Sequence, residues 1–358
     1  MKTITTNFNF KNKLNFSDCS LNRLKSNLNI LLLVGVLFTT YNDSFGQLQK
    51  ITEYFSDGKT IKSKYQIDSQ NLKQGIEEEY WENGRLSSRK NLVNNKLNGL
   101  YEQYFDNGKL FLRYFAILNN IQGKYGSYEE YHNNGNIKTK YTLVNPSGYK
   151  PLRNGELLEY YYNGNIMRRE NYINGIKIGK QEFFHENGKL GIVYFNNSYG
   201  KHGPYLSYFN DGKIKEKSEF NNGVLNGERE EYEQNISTNP DVNEYYLKLK
   251  EYYSNGIRVG KFETFSSVGK IVSGNYINGK KEGVWKEFTS YDMRTQRKYD
   301  YTYLERVLIY KNNKLNGEQL EYYPNGNIKS KMNYENGNIR VNEKYNENGT
   351  LNSRDSYE

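Results

Sequence analysis

Gly179-Lys180-Gln181-Glu182-Phe183-Phe184-His185-Glu186-Asn187-Gly188-Lys189-Leu190-Gly191-Ile192-Val193-Tyr194-Phe195 is one unit of a repeat. A short strand follows the first glycine, Asn187-Gly188 makes a turn, and a second strand runs to Phe195. Asn-Gly between apolar runs is a strong hairpin signal, because glycine, and tolerably asparagine, accepts positive φ. An aromatic residue stands five positions after Gly179. The same spacing recurs after Gly75, Gly99, Gly123, Gly155, Gly203, Gly227, Gly260, Gly283 and Gly317. Five of the nine steps between these glycines are 24 residues, and a fixed period of that size means a repeat architecture.

Each unit carries two turn signals. The first comes nine residues after the glycine, at Gly84, Gly108, Gly164, Gly188, Gly212, Gly269 and Gly326. The second comes four residues before the next glycine, at Gly175, Gly223, Gly256 and Gly279, with Asn95 and Asn313 in the same place. The strands between them alternate, as in Leu110, Leu112 and Tyr114, or Ile328, Ser330, Met332 and Tyr334. Alternation marks half-buried antiparallel strands. The expected fold is all-β: tandem hairpins of about 24 residues forming one long antiparallel meander, curved by strand twist. Three units are longer, with extra residues near Asn145–Arg153, Gln234–Lys250 and Ser290–Val307. Insertions of this kind can shape a binding face. Residues 47–72 and 338–358 read as divergent terminal units.

Composition fits a thin structure held by rings. The chain has 358 residues, 36 of them Tyr, with 15% aromatic and only 35% hydrophobic residues. A Tyr ring buries its face while its hydroxyl reaches water. The formal charge of +9 mixes 50 basic with 41 acidic residues. No run of five basic residues exists, so a nucleic-acid partner is not expected.

The N-terminus reads as a secretory signal peptide over residues 1–46. Lys2, Lys11, Lys13, Arg23 and Lys25 lead, an apolar core spans Ile30–Phe38, and Ser44-Phe45-Gly46 offers a cleavage site. The apolar run is short for a membrane span, so no integral insertion is expected after cleavage. The product would be exported to the periplasm, outer surface or medium. Cys19, the one cysteine, falls within this segment. The mature chain would have no disulfide and no cysteine-based metal site.

The pattern Gly-x4-Tyr-Tyr/Phe-x-Asn-Gly-Lys/Asn-Leu/Ile, best seen in Gly99–Leu110, Gly179–Leu190, Gly203–Ile214 and Gly317–Gly337, resembles the bacterial variant of the MORN repeat. The resemblance covers about residues 50–350. Chains of this variant are grouped as YwqK-family antitoxins, so it implies a hairpin-repeat sheet and an antitoxin-like role. Asn235-Ile236 and Tyr291-Asp292 replace Asn-Gly at two first turns. A signal peptide fits an envelope immunity or surface protein better than a cytoplasmic antitoxin.

No catalytic, metal or cofactor site is expected. His132 and His185 sit just before first turns, as rings replacing Tyr or Phe. Glu77–Glu79, Glu129-Glu130 and Glu228–Glu231 read as solvated strand faces. Ring doublets precede the turns, and one ring of each would pack the core, with Trp285 also core. The other ring would line a binding face, giving Trp81, Phe105, Tyr161, Phe183, Phe209 and Tyr323 as candidates. The expected function is binding a protein partner, such as a toxin, through a broad sheet face. The alternative is binding cell-wall glycan.

Overall fold

The computed structural model describes residues 48–116, 124–144, 151–236, 243–267, 269–290 and 302–357. The signal-peptide reading, Cys19 and Gly123 lie outside these residues. So do Asn145-Pro146-Ser147-Gly148, Asn239-Pro240-Asp241, Tyr291-Asp292 and Met293–Lys298.

The described chain is one open antiparallel sheet of 27 strands, from β1 (Gln49–Tyr54) to β27 (Leu351–Ser356). Strands pair in sequence order, as the repeat predicts. The exceptions are three two-residue strands, β9 (Leu152–Arg153), β18 (Ile257–Arg258) and β23 (Lys314–Leu315). Each shares its neighbouring strand with the element that follows it, as β9 and β10 (Gly155–Tyr160) share β8 (Ile137–Val144). Two of the longer units spend residues on longer strands. β16 (Val224–Ile236) and β17 (Asn243–Ser254) stay paired from Gly227↔Tyr253 to Ile236↔Asn243.

The two turn signals are two different turns. At the second turn both central residues are left-handed, as in Asn174 and Gly175 with φ of 48° and 83°. Two successive positive φ values make the tight reversal whose twist matches the strands. At the first turn only the glycine is left-handed. Gly108 N–H donates to Phe105 O at 2.9 Å, and Phe105 N–H donates to Lys109 O at 2.8 Å.

The repeat glycines sit at bulges. β11 (Ile166–Ile173) and β12 (Ile176–Phe184) pair at Glu170↔Gln181 and again at Tyr172↔Lys177. One residue on β11 therefore opposes three on β12, and Gly179 at their centre has φ +76°. A Cβ there would meet nothing within 4 Å, so conformation rather than space selects glycine. Gln181 fills the bulge from beneath, donating to the carbonyls of Asn171, Ile178 and Gly179 at 3.2–3.3 Å. In the third unit the bulge glycine is Gly126, with φ +75°. It lies opposite Leu143, and Tyr131, five residues on, opposite Ile137.

Residues opposed across strands share a face, and neighbours along a strand alternate. One continuous row runs Leu157↔Glu170↔Gln181↔Tyr194↔Tyr205↔Ser218↔Arg229↔Glu251. Leu157, Glu170 and Gln181 have no exposed surface, and Glu251 has 1%. No second layer covers them among the described residues, so neighbouring side chains do. Trp285 shows how. Its ring lies across Gly274, against Phe262, Tyr276 and Tyr310, and it is 1% exposed.

A Cβ on Gly274 would fall 2.1 Å from the Trp285 ring, whereas Gly179 has room but a left-handed backbone. Gly274→Ala should destabilise by about 3 kcal/mol through overpacking, and Gly179→Ala by roughly 1–2 kcal/mol through strain. Trp285→Leu should offset much of the first loss and none of the second, read from urea midpoints. Equal behaviour of the two double variants would contradict this assignment.

Candidate functional site

The first turns line one edge of the sheet and are stitched to one another. Asn83, Asn107, Asn163, Asn187 and Asn325 precede the turn glycines. Each accepts, through Oδ1, the N–H two residues on, as Lys109 N–H to Asn107 at 2.9 Å. Each also donates, through Nδ2, to a carbonyl in the following unit's turn, as Asn107 to Asn133 O at 3.0 Å. Lys109 and Lys189 add Nζ donors to the same carbonyl edge.

Five of the six candidate rings belong to this edge. Trp81, Phe105, Tyr161, Phe209 and Tyr323 share one position at the start of the turn, together with His132 and His185. Trp81 Nε1–H donates to Tyr104 O at 3.3 Å, and the hydroxyls of Tyr161 and Tyr323 donate to Phe184 O and Tyr345 O at 2.8 and 2.9 Å. The histidine Nε2 atoms stand 3.3 and 3.0 Å from Tyr160 O and Tyr208 O. Phe105 and Phe209 have no donor and pack on Phe111 and Tyr245 instead. Phe183 lies two positions earlier on its strand, stacked with Tyr194 at 6.0 Å.

The face carrying the buried row is rich in rings. Tyr101, Tyr114, Tyr128 and Tyr141 follow one another across four strands with centroids 5.0, 6.3 and 4.7 Å apart. The opposite face is charged. Three residues after the bulge glycine comes Glu78, Glu102, Glu129 or Glu230, and two residues further a tyrosine hydroxyl donates back to that carboxylate at 2.6–2.9 Å. Arginines on adjacent strands pair with the same carboxylates, as Arg89 with Glu78 and Arg113 with Glu129. The sequence suggested solvated acidic faces, but Glu77 and Glu129 are buried, at 3% and 8% exposure. Glu77 pairs with Lys73 and Lys90, and Glu129 with Arg113.

These contacts set the titration. Burial, and then the Glu78, Glu102 and Glu129 carboxylates, push Tyr80, Tyr104 and Tyr131 up to about 12. The Tyr80 hydroxyl and Arg89 guanidinium hold Glu78 below its ordinary range.

Clefts open on the sheet among the described residues. One, about 760 Å³, lies between the first units and is lined by Glu53, Glu79, Trp81 and Asp106 among others. A second, about 480 Å³, opens around Tyr128, Tyr141, Arg153 and Glu159. A third, about 370 Å³, lies on the charged face between Ile76, Leu100 and Phe115, which are 57%, 44% and 47% exposed. The sequence reading passed over this trio. Ile76 and Leu100 directly follow repeat glycines, where five other units carry Glu156, Lys180, Glu228, Lys261 and Glu318 and two carry Pro204 and Val284. Among the described residues there is no metal-binding cluster and no helix long and apolar enough to cross a membrane.

Stacked hairpins of this kind define a binding-repeat array. The family model of the MORN repeat variant matches six stretches: residues 97–114, 124–145, 153–174, 177–197, 201–222 and 315–336. No curated protein matches the chain. Among solved structures, the TcdB2-TccC3-TEV crystal structure is 9% identical over 86% of this chain and 17% of that chain, with a TM-score of 0.19. A Photorhabdus luminescens Tc holotoxin pore is likewise 9% identical over 86% and 17%, with a TM-score of 0.18. A porin-like protein from Bacteroides uniformis is 10% identical over 81% and 92%, with a TM-score of 0.11. The chain thus spans under a fifth of the first two of these chains.

Two outcomes test this geometry. Asn107→Asp keeps the acceptor for Lys109 N–H but loses the donor to the next turn, and should cost about 1 kcal/mol in a denaturant titration. Asn107→Ala loses both and should cost more. A tyrosine with a raised pKa holds its proton longer in the folded state, so its stabilisation is complete below pH 10 and lost on rising to 12. The melting temperature should fall across that window, less steeply in Tyr80→Phe/Tyr104→Phe/Tyr131→Phe, and absorbance at 295 nm should show a late phenolate fraction that the triple variant lacks.

Proposed function

We propose that this chain is a non-catalytic binding protein of the cell envelope whose partner is a polypeptide. Its role is antitoxin- or immunity-like cover of a partner's working surface, or scaffolding. The mechanism is steric: a wide rigid sheet occupies the partner's surface and performs no chemistry. One observation carries the choice of a polypeptide. Ile76, Leu100 and Phe115 hold aliphatic and aromatic surface in water beside Arg89 and Lys90, on the face where Glu78 and Glu129 hold paired charges. An exposed apolar cluster rimmed by charge is the usual mark of a protein contact. Export is supported by the basic lead, apolar core and small residues before Gln47.

A second reading, carbohydrate binding, draws on the 760 Å³ cleft. There Trp81, 38% exposed, stands beside Glu82, Asn83 and Asp106, a ring with polar groups that suits a sugar.

Affinity capture from envelope extract at high salt, with mass spectrometry, separates the two. A stoichiometric protein retained by the wild type and by Trp81→Ala, but lost with Leu100→Asp, supports the polypeptide reading. Retention on cell-wall fractions that Trp81→Ala abolishes, with no protein partner, overturns it.

A further inference from the structure

The 480 Å³ cleft contains an arginine with no carboxylate partner among the described residues. Eleven arginines lie among the described residues, and nine of them make ion pairs with carboxylates. Arg85 instead gives Nη1 to Asp106 O at 3.0 Å. Arg153 stands apart. Its guanidinium lies over the rings of Tyr141 and Tyr172, 5.1 and 5.6 Å from their centroids, and no carboxylate among the described residues comes within ion-pair distance. The flanking stretches 117–123 and 145–150 contain no Asp or Glu that could supply one.

The other charges of the cleft are matched. Glu130 pairs with Lys138 at 2.6 Å, and Glu159 takes Arg168 Nε at 2.7 Å. Arg153 therefore leaves one positive charge uncompensated in a cleft floored by the stacked rings of Tyr128 and Tyr141. A half-buried guanidinium resting over rings keeps its planar fork of donors, which takes a carboxylate through two parallel hydrogen bonds. Glu130 and Glu159 on the cleft wall would repel a dianion such as a phosphate monoester. One charge matched by one charge fits a monoanion.

We propose that Arg153 is the anchor of a binding site for the carboxylate of an acidic polypeptide segment, the rings of Tyr128 and Tyr141 taking the stem of the same side chain. Arg153 stands two residues before the bulge glycine Gly155, where other units place Lys73, Lys177, Lys201, Arg258 and Lys281 over rings. This inference rests on the reading that the partner is a polypeptide and deepens it by naming the chemistry recognised.

The test uses the full chain and three probes by calorimetry: end-capped hexaglutamate, end-capped hexaglutamine and an oligogalacturonate. Wild type should bind hexaglutamate saturably and hexaglutamine not at all. Arg153→Met, which keeps the stem, should weaken hexaglutamate by about tenfold or more, the worth of a charge-assisted pair. Arg340→Met, at a surface arginine paired with Glu335, should change it less than about twofold. Should Arg153→Met fold poorly, the arginine Nε–H signals of the wild type answer instead: one side-chain signal should shift with hexaglutamate and not with hexaglutamine. Equal hexaglutamate binding by Arg153→Met and wild type, or no shifted signal, overturns the site. Arg153-dependent binding of oligogalacturonate without hexaglutamate overturns the choice of a polypeptide. Failure here with Leu100-dependent capture intact removes only the Arg153 site. Hexaglutamate binding through Arg153, with no protein captured, removes the functional reading and leaves the site.

Discussion

A sheet with no second layer over it among the described residues must bury its central row under its own side chains. That constraint explains most of what is unusual in this protein. In a two-layer fold the cover comes from the opposite layer, and aliphatic residues fill the gap. Here the cover is lateral. Flat rings serve because one ring spans two strands, as Trp285 spans Gly274. Long polar side chains serve because they lie along the sheet and end on a partner. Glu170 is fully buried, yet Lys177 and the Tyr172 hydroxyl satisfy its carboxylate. Gln181 and Gln319 are fully buried because each closes the backbone groups that its own bulge leaves open. A core of this kind is selective about register, since a slipped strand would leave those groups buried and unpartnered.

The turn edge answers the same constraint at the rim. A hairpin of two short strands is marginal alone, and lateral bonds to the next hairpin make it part of an array. The asparagine amide does this because it accepts within its own turn and donates to the next. Two units depart from that rule with Asp211 and Asp57 in the asparagine's place. The Asp211 carboxylate accepts from Lys213 N–H and the Tyr245 hydroxyl. The Asp57 carboxylate accepts from Lys59 N–H, Thr60 N–H and the Thr60 hydroxyl. A carboxylate has no amide to give, and Phe55 beside Asp57 has no polar atom. The 760 Å³ cleft opens beside this first unit, with Phe55 in its wall.

The hairpins, the two turn positions and the core role of Trp285 were legible because glycine and asparagine report backbone conformation directly. The third unit shows the limit. Gly123–Tyr128 satisfies the spacing and the period, but Gly126–Tyr131–Gly135 sets the register. The deciding signal was Glu129, three residues after the glycine and bonded to Tyr131. A glycine and a ring alone are too common in this chain to fix a phase. Phe183-Phe184 shows a related limit: the doublet looks like the others, but the turn ring of that unit is His185. Buried Glu77, Glu129 and Glu170 were illegible in principle, since a carboxylate on a strand looks solvated until its cross-strand cation is placed.

Within a unit the positions divide by what the fold asks of them. The bulge glycine, the turn asparagine and the capping tyrosine are fixed by backbone or partner. The residue after the bulge glycine is not, and it holds Ile76, Leu100, Glu156 or Lys180 with the same strand geometry. Binding information in such an array therefore collects in two places. One is the free position, repeated along the charged face and able to set a pattern of apolar and charged contacts. The other is wherever residues are added, because an added segment brings side chains that no neighbouring unit has been matched to. Arg153 marks a third: it holds the regular position two before the bulge glycine, where Lys73, Lys177 and Arg258 pair with Glu77, Glu170 and Glu251, and no carboxylate among the described residues takes its charge.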